Sequence, residues 1–427
     1  MPAKDLLADK PMSPLQFATV LVCFVMNMLD GMDVLVISYA APSISRDWAI
    51  SPEALGVVFS AGLAGMTLGT FLIAPLADRF GRKTIILVSA LIMGAFIYLS
   101  AYAGSIPELL LYRFLSGLGI GSMLASTTAL TAEYTPDKNR DFWVSFVVAG
   151  YPIGAIVSGI VAAEIVPDEG WRQLFRLAGL ASMAAFPVAL LLLSESVQYL
   201  LGSQPKGALP RANRILNRMG CPLLEELPEK TAPRARIPAG ALFKPEFRRA
   251  TGLLWLALFL AFSALYFLIS WIPKLASDAG LSMELAIYAG TVFNAGAFVG
   301  ILVQGYISSR FGLRRTIGLI FLATAALMAS FGWFTGSDWT LLILGLLGFG
   351  IQGGFVGLYA VAARIYPTRI RTTGVGWAMG AGRFGGIAGP MVGGVLIGLG
   401  LALTTNFFLF AIPTLLAGLI TLRIPVR

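Results

Sequence analysis

Two acids stand in the middle of a strongly apolar stretch, in the run Asp30-Gly31-Met32-Asp33. Acids at i and i+3 share one face of a helix. If the apolar run is a membrane helix centred near residue 28, Asp30 lies about 3 Å and Asp33 about 7 Å to the outer side of the midplane. A carboxylate buried at such a depth costs several kcal/mol unless it is protonated, paired or facing water, so an intramembrane acid is functional by default. The chemistry open to this pair is uptake and release of a proton; the alternative is a permanent structural ion pair. Histidine is absent. That excludes imidazole proton relays, Ser-His-Asp or Cys-His catalysis and most transition-metal sites. No metal, no cofactor and no enzymatic activity are expected, with the proton as the coupling ion.

Two arginines join the acids inside apolar runs. Arg113 opens Arg113-Phe114-Leu115-Ser116-Gly117-Leu118-Gly119-Ile120-Gly121 and would lie about 10 Å outside the midplane, near the depth of Asp33. It is read as the partner of Asp33 or Asp30, or as a snorkelling surface arginine. Arg383, in Gly380-Ala381-Gly382-Arg383-Phe384-Gly385-Gly386, falls almost at mid-membrane. A fixed cation there wants an anion, either a substrate or Asp30 and Asp33, with purely structural pairing as the bland alternative, and a guanidinium meets a carboxylate in two-point geometry. Trp255, Phe259, Phe262 and Tyr266 form a helical aromatic stripe, while Asn294, Gln352 and Tyr359 are polar or amphipathic groups within other spans. Phe262, Tyr266, Asn294, Gln352, Tyr359 and Arg383 are the candidate substrate contacts. The bland alternative for the aromatics is packing or lipid exposure.

The elements that must position these residues follow from composition. Of 427 residues 57% are apolar and only 12% charged, with mean hydropathy +0.80, which describes an integral membrane protein. Apolar runs predict helices over residues 16–40, 53–77, 83–103, 107–132, 142–166, 171–194, 250–272, 284–308, 315–335, 339–362, 373–398 and 403–423. The expected fold is therefore an all-α polytopic membrane protein of twelve spans in two six-helix bundles, residues 1–195 and 250–427. Residues 196–249 form a polar linker between them, with a short helix around Leu209–Arg218. The first run holds Asp30 and Asp33, which a cleaved signal peptide would not tolerate.

With the N-terminus inside, inner loops and termini hold 25 of the 31 Lys and Arg residues, against Arg46, Arg172, Arg176 and Lys274 outside. Both termini are thus placed in the cytoplasm. The same bias explains the net charge of +9 without nucleic acid. Cys23 and Cys221 lie in segments too different to suggest a bridge.

An internal repeat runs at a constant offset of 231 residues: Arg79-Phe80-Gly81 recurs as Arg310-Phe311-Gly312, Pro136 as Pro367, Arg140 as Arg371 and Gly154 as Gly385. Glu133 and Arg364 occupy equivalent places. Parallel halves of this kind build one class of secondary transporter. The first repeat loop, Ala74-Pro75-Leu76-Ala77-Asp78-Arg79-Phe80-Gly81-Arg82-Lys83, resembles the loop 2–3 signature of the major facilitator superfamily. Gly305 to Arg315 resembles its loop 8–9 copy, with Ser309 where the family has Asp. An acid beside a helix N-terminus with arginines in reach can latch one conformation. Asp78, Arg79, Gly81, Arg82, Glu133, Arg140, Arg310, Arg364 and Arg371 are the candidate gating residues; positive-inside anchoring is the alternative.

Together with Ala132-Glu133-Tyr134-Thr135-Pro136 and Gly382-Arg383-Phe384-Gly385, the Asp-Gly-x-Asp run resembles the aromatic acid:proton symporter family within that superfamily. The resemblance implies import of a small aromatic carboxylate such as a hydroxybenzoate, protocatechuate or benzoate across a bacterial inner membrane. Asp30, Asp33 and Arg113 would then couple the proton, and Arg383 would meet the substrate carboxylate. Gly389-Pro390 imitates the fifth-helix motif of antiporters but lies in the wrong half, and Gly150 to Gly154 lacks its Gly-Pro centre, which favours symport. Ser194-Glu195-Ser196 resembles part of the sugar and metabolite porter signature. Transport of an aliphatic carboxylate or a sugar, or a non-transporting sensor on the same fold, is the alternative. The expected partners are the carboxylate, protons and the lipid bilayer, and the chain is expected to act as a monomer.

Overall fold

The computed structural model describes residues 12–228, 239–334, 337, 339–367 and 370–425. The predicted linker therefore lies partly outside the described residues. Among those described, every regular element is helical: α1 Pro14–Trp48, α2 Pro52–Leu68, α3 Ala77–Phe80, α4 Arg82–Ser100, α5 Ile106–Tyr134, α6 Arg140–Leu192, α7 Val197–Ser203, α8 Ala208–Arg218, α9 Arg248–Asp278, α10 Met283–Phe311, α11 Leu313–Ala329, α12 Thr340–Ile365, α13 Arg371–Gly398 and α14 Leu403–Arg423. Nine helical stretches among the described residues are long and apolar enough to cross a membrane. Large side chains on their outer faces, such as Leu191 and Leu302, are exposed, as a surface meeting lipid rather than water allows.

Helix ends shift, α1 running to Trp48 rather than residue 40 and α11 stopping at Ala329 rather than 335, and two spans differ in their course. The predicted break between residues 166 and 171 shrinks to one residue, Gly170, whose φ of 78° interrupts an otherwise continuous 53-residue helix. A span needs about 20 residues, so α6 has length for two. Between α2 and α3 the chain does not stay α-helical: Gly69–Ile73 is a wider π turn and Ala74–Leu76 a 3₁₀ turn. Pro75 supplies the cause, because it donates no N–H and its ring crowds the carbonyl four residues back. In the linker, the short helix predicted around Leu209–Arg218 is α8, with Ala212, Ile215 and Leu216 buried and Arg211, Arg214 and Arg218 exposed. The preceding α7 was not predicted. Ser196 starts it, its hydroxyl accepting from the Tyr199 amide at 2.9 Å. Both cysteines are buried.

By contacts the chain divides into two compact units. The first comprises Met1–Val34, Ala64–Gly154 and Phe175–Arg234, and the second Leu35–Leu63, Ala155–Leu174 and Ala235–Arg427. The 231-residue repeat is visible within each. In the first, a side chain at Gly154 would strike the Met28 carbonyl at 1.8 Å; in the second, one at Gly385 would strike Phe259 at 2.0 Å, and each pair is the other shifted by the repeat. Gly65 and Gly69 of α2 meet the Phe114 and Leu118 carbonyls of α5, and Gly296 and Gly300 of α10 meet Gly345 and Phe349 of α12 in the same register. Small residues let membrane helices approach backbone to backbone, where van der Waals packing replaces the missing hydrophobic drive.

Candidate functional site

The first unit holds a buried charged cluster on three helices. Asp33 of α1 and Asp30 one turn earlier are fully buried, and Arg113 of α5 is 2% exposed. Arg113 and Asp33 meet, but not through the carboxylate. The Nη2 of Arg113 donates to the backbone carbonyl of Asp33 at 3.0 Å. Oδ2 of Asp33 accepts instead from the Ser182 hydroxyl of α6, at 3.0 Å. Oδ1 of Asp33 and the Nε and Nη1 of Arg113 have no hydrogen-bond partner among the described residues. The guanidinium lies 5.9 Å from the centre of the Phe175 ring, also on α6. A cation over an aromatic face is attracted by its quadrupole, which offsets part of the desolvation.

Gly31, between the two acids, explains how α1 reaches this position. A Cβ there would lie 2.0 Å from the Tyr151 carbonyl of α6, so the two backbones touch at the motif itself. What the sequence offers as an acid pair with a spacer is thus an acid pair around a helix crossing.

The second unit carries the predicted substrate contacts. Tyr266 and Phe262 of α9 stack at 5.8 Å; Phe262 meets Phe355 of α12 edge-on at 4.5 Å, and Phe355 meets Tyr359 at 5.0 Å. Half-buried Arg383 of α13 and Tyr266 lie within electrostatic range of the Tyr359 hydroxyl. Gly382 and Gly386 flank Arg383 and press α13 onto the Phe262 and Tyr266 rings. Gln352, also on α12, has a buried Oε1 without a hydrogen-bond partner among the described residues. Asn294 is engaged otherwise: its Nδ2 donates to the Gly290 carbonyl at 2.8 Å and to the Tyr39 hydroxyl at 3.4 Å, which ties α10 to α1. Trp255 stacks on Trp377 at 6.2 Å, away from this chain of rings.

Of the candidate gating residues, Asp78, Arg79, Gly81, Arg82 and Glu133 gather around α3 and α4 in the first unit. Arg82 reaches both Asp78, at 2.5 Å, and Glu133 of α5, at 3.3 Å. The acid at the α4 N-terminus is not Asp78 but Glu195, whose Oε1 accepts from the Lys83 and Ser196 amides at 3.1 and 2.9 Å. A carboxylate on free helix-start N–H groups meets the positive end of the helix dipole. Gly81 makes room for it: φ is 100° and a Cβ would sit 2.1 Å from the Glu195 Oε2. The repeat copy, Gly312, has φ 87° with nothing within 4 Å. Arg79 is exposed over its neighbour Phe80, and Arg140 pairs with Asp137 while its Nε donates to the Ala132 carbonyl at 2.9 Å. In the second unit Arg310 lies over the Tyr306 ring, Arg371 donates weakly to the Tyr366 carbonyl at 3.4 Å, and Arg364 is exposed. Ser182 and Glu195 are the site residues sequence reasoning missed. No signal marked a lone serine in an apolar span, whereas Glu195 stood in the Ser-Glu-Ser run.

A family model described as Major Facilitator Superfamily matches residues 23–304 and 254–427. The 4-hydroxybenzoate transporter PcaK of Pseudomonas aeruginosa is 36% identical over 397 residues, covering 92% of this chain and 88% of that protein. A gallate transporter of Pseudomonas putida is 33% identical, covering 97% of this chain and 93% of its own length. Among solved structures, the xylose transporter XylE from E. coli in an inward open conformation aligns with TM-score 0.74 at 18% identity, covering 96% of this chain and 97% of that one, a likeness of fold. With the glycine-crossed repeat, the buried charges on α1 and α5 and these matches, the chain belongs to the Major Facilitator Superfamily, in its aromatic acid:proton symporter family, and is a multi-pass membrane transporter, not an enzyme.

Proposed function

We propose that the protein imports a small aromatic carboxylate of the hydroxybenzoate, protocatechuate or benzoate type together with protons, by alternating access, across a bacterial inner membrane. The observation that carries the proton coupling is the fully buried Asp33 held between Ser182 and the backbone-bonded Arg113. A carboxylate with an unused oxygen, out of water and without a close ion pair, has reason to exchange a proton. The relatives named for 4-hydroxybenzoate, gallate and benzoate support the substrate class. The chain of rings from Tyr266 to Tyr359 beside Arg383 offers the matching chemistry: a guanidinium for the carboxylate, aromatic faces for the ring, and the Gln352 carbonyl for a ring hydroxyl.

In this reading the transporter has twelve spans, the nine apolar stretches being joined by the second half of α6 and by α11 and α13. Both termini lie in the cytoplasm as the lysine and arginine bias requires, and the Asp78, Arg82, Glu133 and Glu195 cluster holds the inner side. The protein works as a monomer with no cofactor other than the proton.

The test is uptake of labelled 4-hydroxybenzoate into proteoliposomes containing the purified protein, with an inward proton gradient and with the gradient collapsed by a protonophore. Accumulation that needs the gradient is expected. Equal uptake in both conditions would refute proton coupling, and no uptake by verified proteoliposomes would move the substrate to another carboxylate or a sugar.

A further inference from the structure

Ser182 is fully buried, and its hydroxyl sits 3.0 Å from the Asp33 Oδ2. Its place is tightly set. Gly94 of α4 backs directly onto Ser182 and Met183, with an added Cβ meeting the Ser182 carbonyl carbon at 3.2 Å, and Gly179 does the same against Tyr98. Ser182 stands seven residues after Phe175, two turns along the same face of α6, so one helix face covers Arg113 with a ring and Asp33 with a hydroxyl.

A serine hydroxyl is suited to an acid that changes charge because it both donates and accepts. It donates to the carboxylate when Asp33 is ionised. When Asp33 is protonated, the carboxyl O–H can donate to Oγ, while the serine proton turns back to a carbonyl one turn earlier on its own helix, as buried membrane serines do. The hydrogen bond between Ser182 and the Asp33 carboxyl group is then kept in both states. Arg113 does not hold the carboxyl group itself, since its bond is to the Asp33 main chain.

We propose that Ser182 is the positioning residue of the proton site, the hydroxyl that holds the Asp33 carboxyl in one place through both protonation states and sets the pH at which it exchanges its proton. The proposal rests on the coupling role of Asp33. Of the ionisable groups on the elements that meet at Asp33, Asp30 is on α1, Tyr112 and Arg113 on α5, Tyr98 on α4 with Tyr102 two residues past its end, and Tyr151 and Arg176 on α6. Tyr98 and Tyr102 bond each other at 2.9 Å and Arg176 lies over the Tyr102 ring, whereas Ser182 bonds the Asp33 carboxylate itself.

The experiment is the pH profile of gradient-driven 4-hydroxybenzoate uptake in proteoliposomes for the wild type, Ser182→Ala, Ser182→Thr, Ser182→Cys and Asp33→Asn, with thermal unfolding recorded for each. Losing the donor disfavours the charged carboxylate, so the alkaline limb of the Ser182→Ala profile should move up by about one pH unit. Ser182→Thr should return it close to the wild type, and Ser182→Cys, a weaker donor, should fall between. If Ser182→Ala is not recovered folded, Ser182→Cys is judged on the same scale. A wild-type profile in the alanine and cysteine variants, or an alanine shift that threonine does not reduce, with Asp33→Asn uncoupled, overturns the role of Ser182 alone. Gradient-driven accumulation by Asp33→Asn overturns the coupling reading and this inference with it.

Discussion

Gly31→Ala tests whether the acid pair depends on the helix crossing on which it sits. The added methyl would lie 2.0 Å from the Tyr151 carbonyl oxygen, 2.7 Å from its carbon and 2.9 Å from its Cα, where real side chains do not come nearer than 3.0 Å. All three atoms are backbone, so no rotamer change relieves the clash, and α1 and α6 must part by about 1 Å. Overpacking of that kind costs about 1–3 kcal/mol. The same movement displaces α1 where Asp33 bonds Ser182 and Arg113, each at 3.0 Å, and one such bond to a charged group is worth about 1.5 kcal/mol or more. A destabilisation of about 3 kcal/mol is expected, with gradient-driven uptake lost. The assay is thermal unfolding of the detergent-purified protein together with proteoliposome uptake. Gly252→Ala, on α9 with nothing within 4 Å of the new methyl, serves as the control and should unfold no earlier than wild type. If Gly31→Ala unfolds and transports like Gly252→Ala, the crossing does not constrain the site and the reasoning fails.

Asp33→Asn should abolish accumulation while leaving substrate exchange down its own gradient, measured as counterflow; a retained tenfold accumulation per imposed pH unit, about 1.4 kcal/mol for one proton, would remove Asp33 from the coupling role. Arg383→Lys keeps the charge but loses the two-point geometry, so KM for 4-hydroxybenzoate should rise about tenfold with membrane levels unchanged, and an unaltered KM would separate Arg383 from the substrate carboxylate. Gly81→Ala and Gly312→Ala both force a side chain into positive φ, at 100° and 87°, but only the first strikes the Glu195 carboxylate. Gly81→Ala should therefore slow uptake far more than Gly312→Ala, and equal rates would show that Glu195 need not hold the α4 N-terminus.

The amino-acid sequence by itself determined the class, an all-helical membrane protein, and the repeat. A bilayer solvent leaves few architectures open, so apolar run length, the placement of lysine and arginine, and a constant 231-residue offset carry that information locally. It also marked Asp30, Asp33, Arg113 and Arg383, because a charge inside an apolar run stands out without any knowledge of its neighbours. Partners are a different matter, since they lie far apart in the chain. Only the tertiary structure turned Arg113 to the Asp33 main chain, brought Ser182 from 149 residues away to its carboxylate, and gave the α4 N-terminus to Glu195 rather than Asp78. Gly31 shows the division most clearly. In sequence it is a spacer between two acids, and in the fold it is the point where α1 and α6 touch, a property of two backbones that no single stretch of sequence contains.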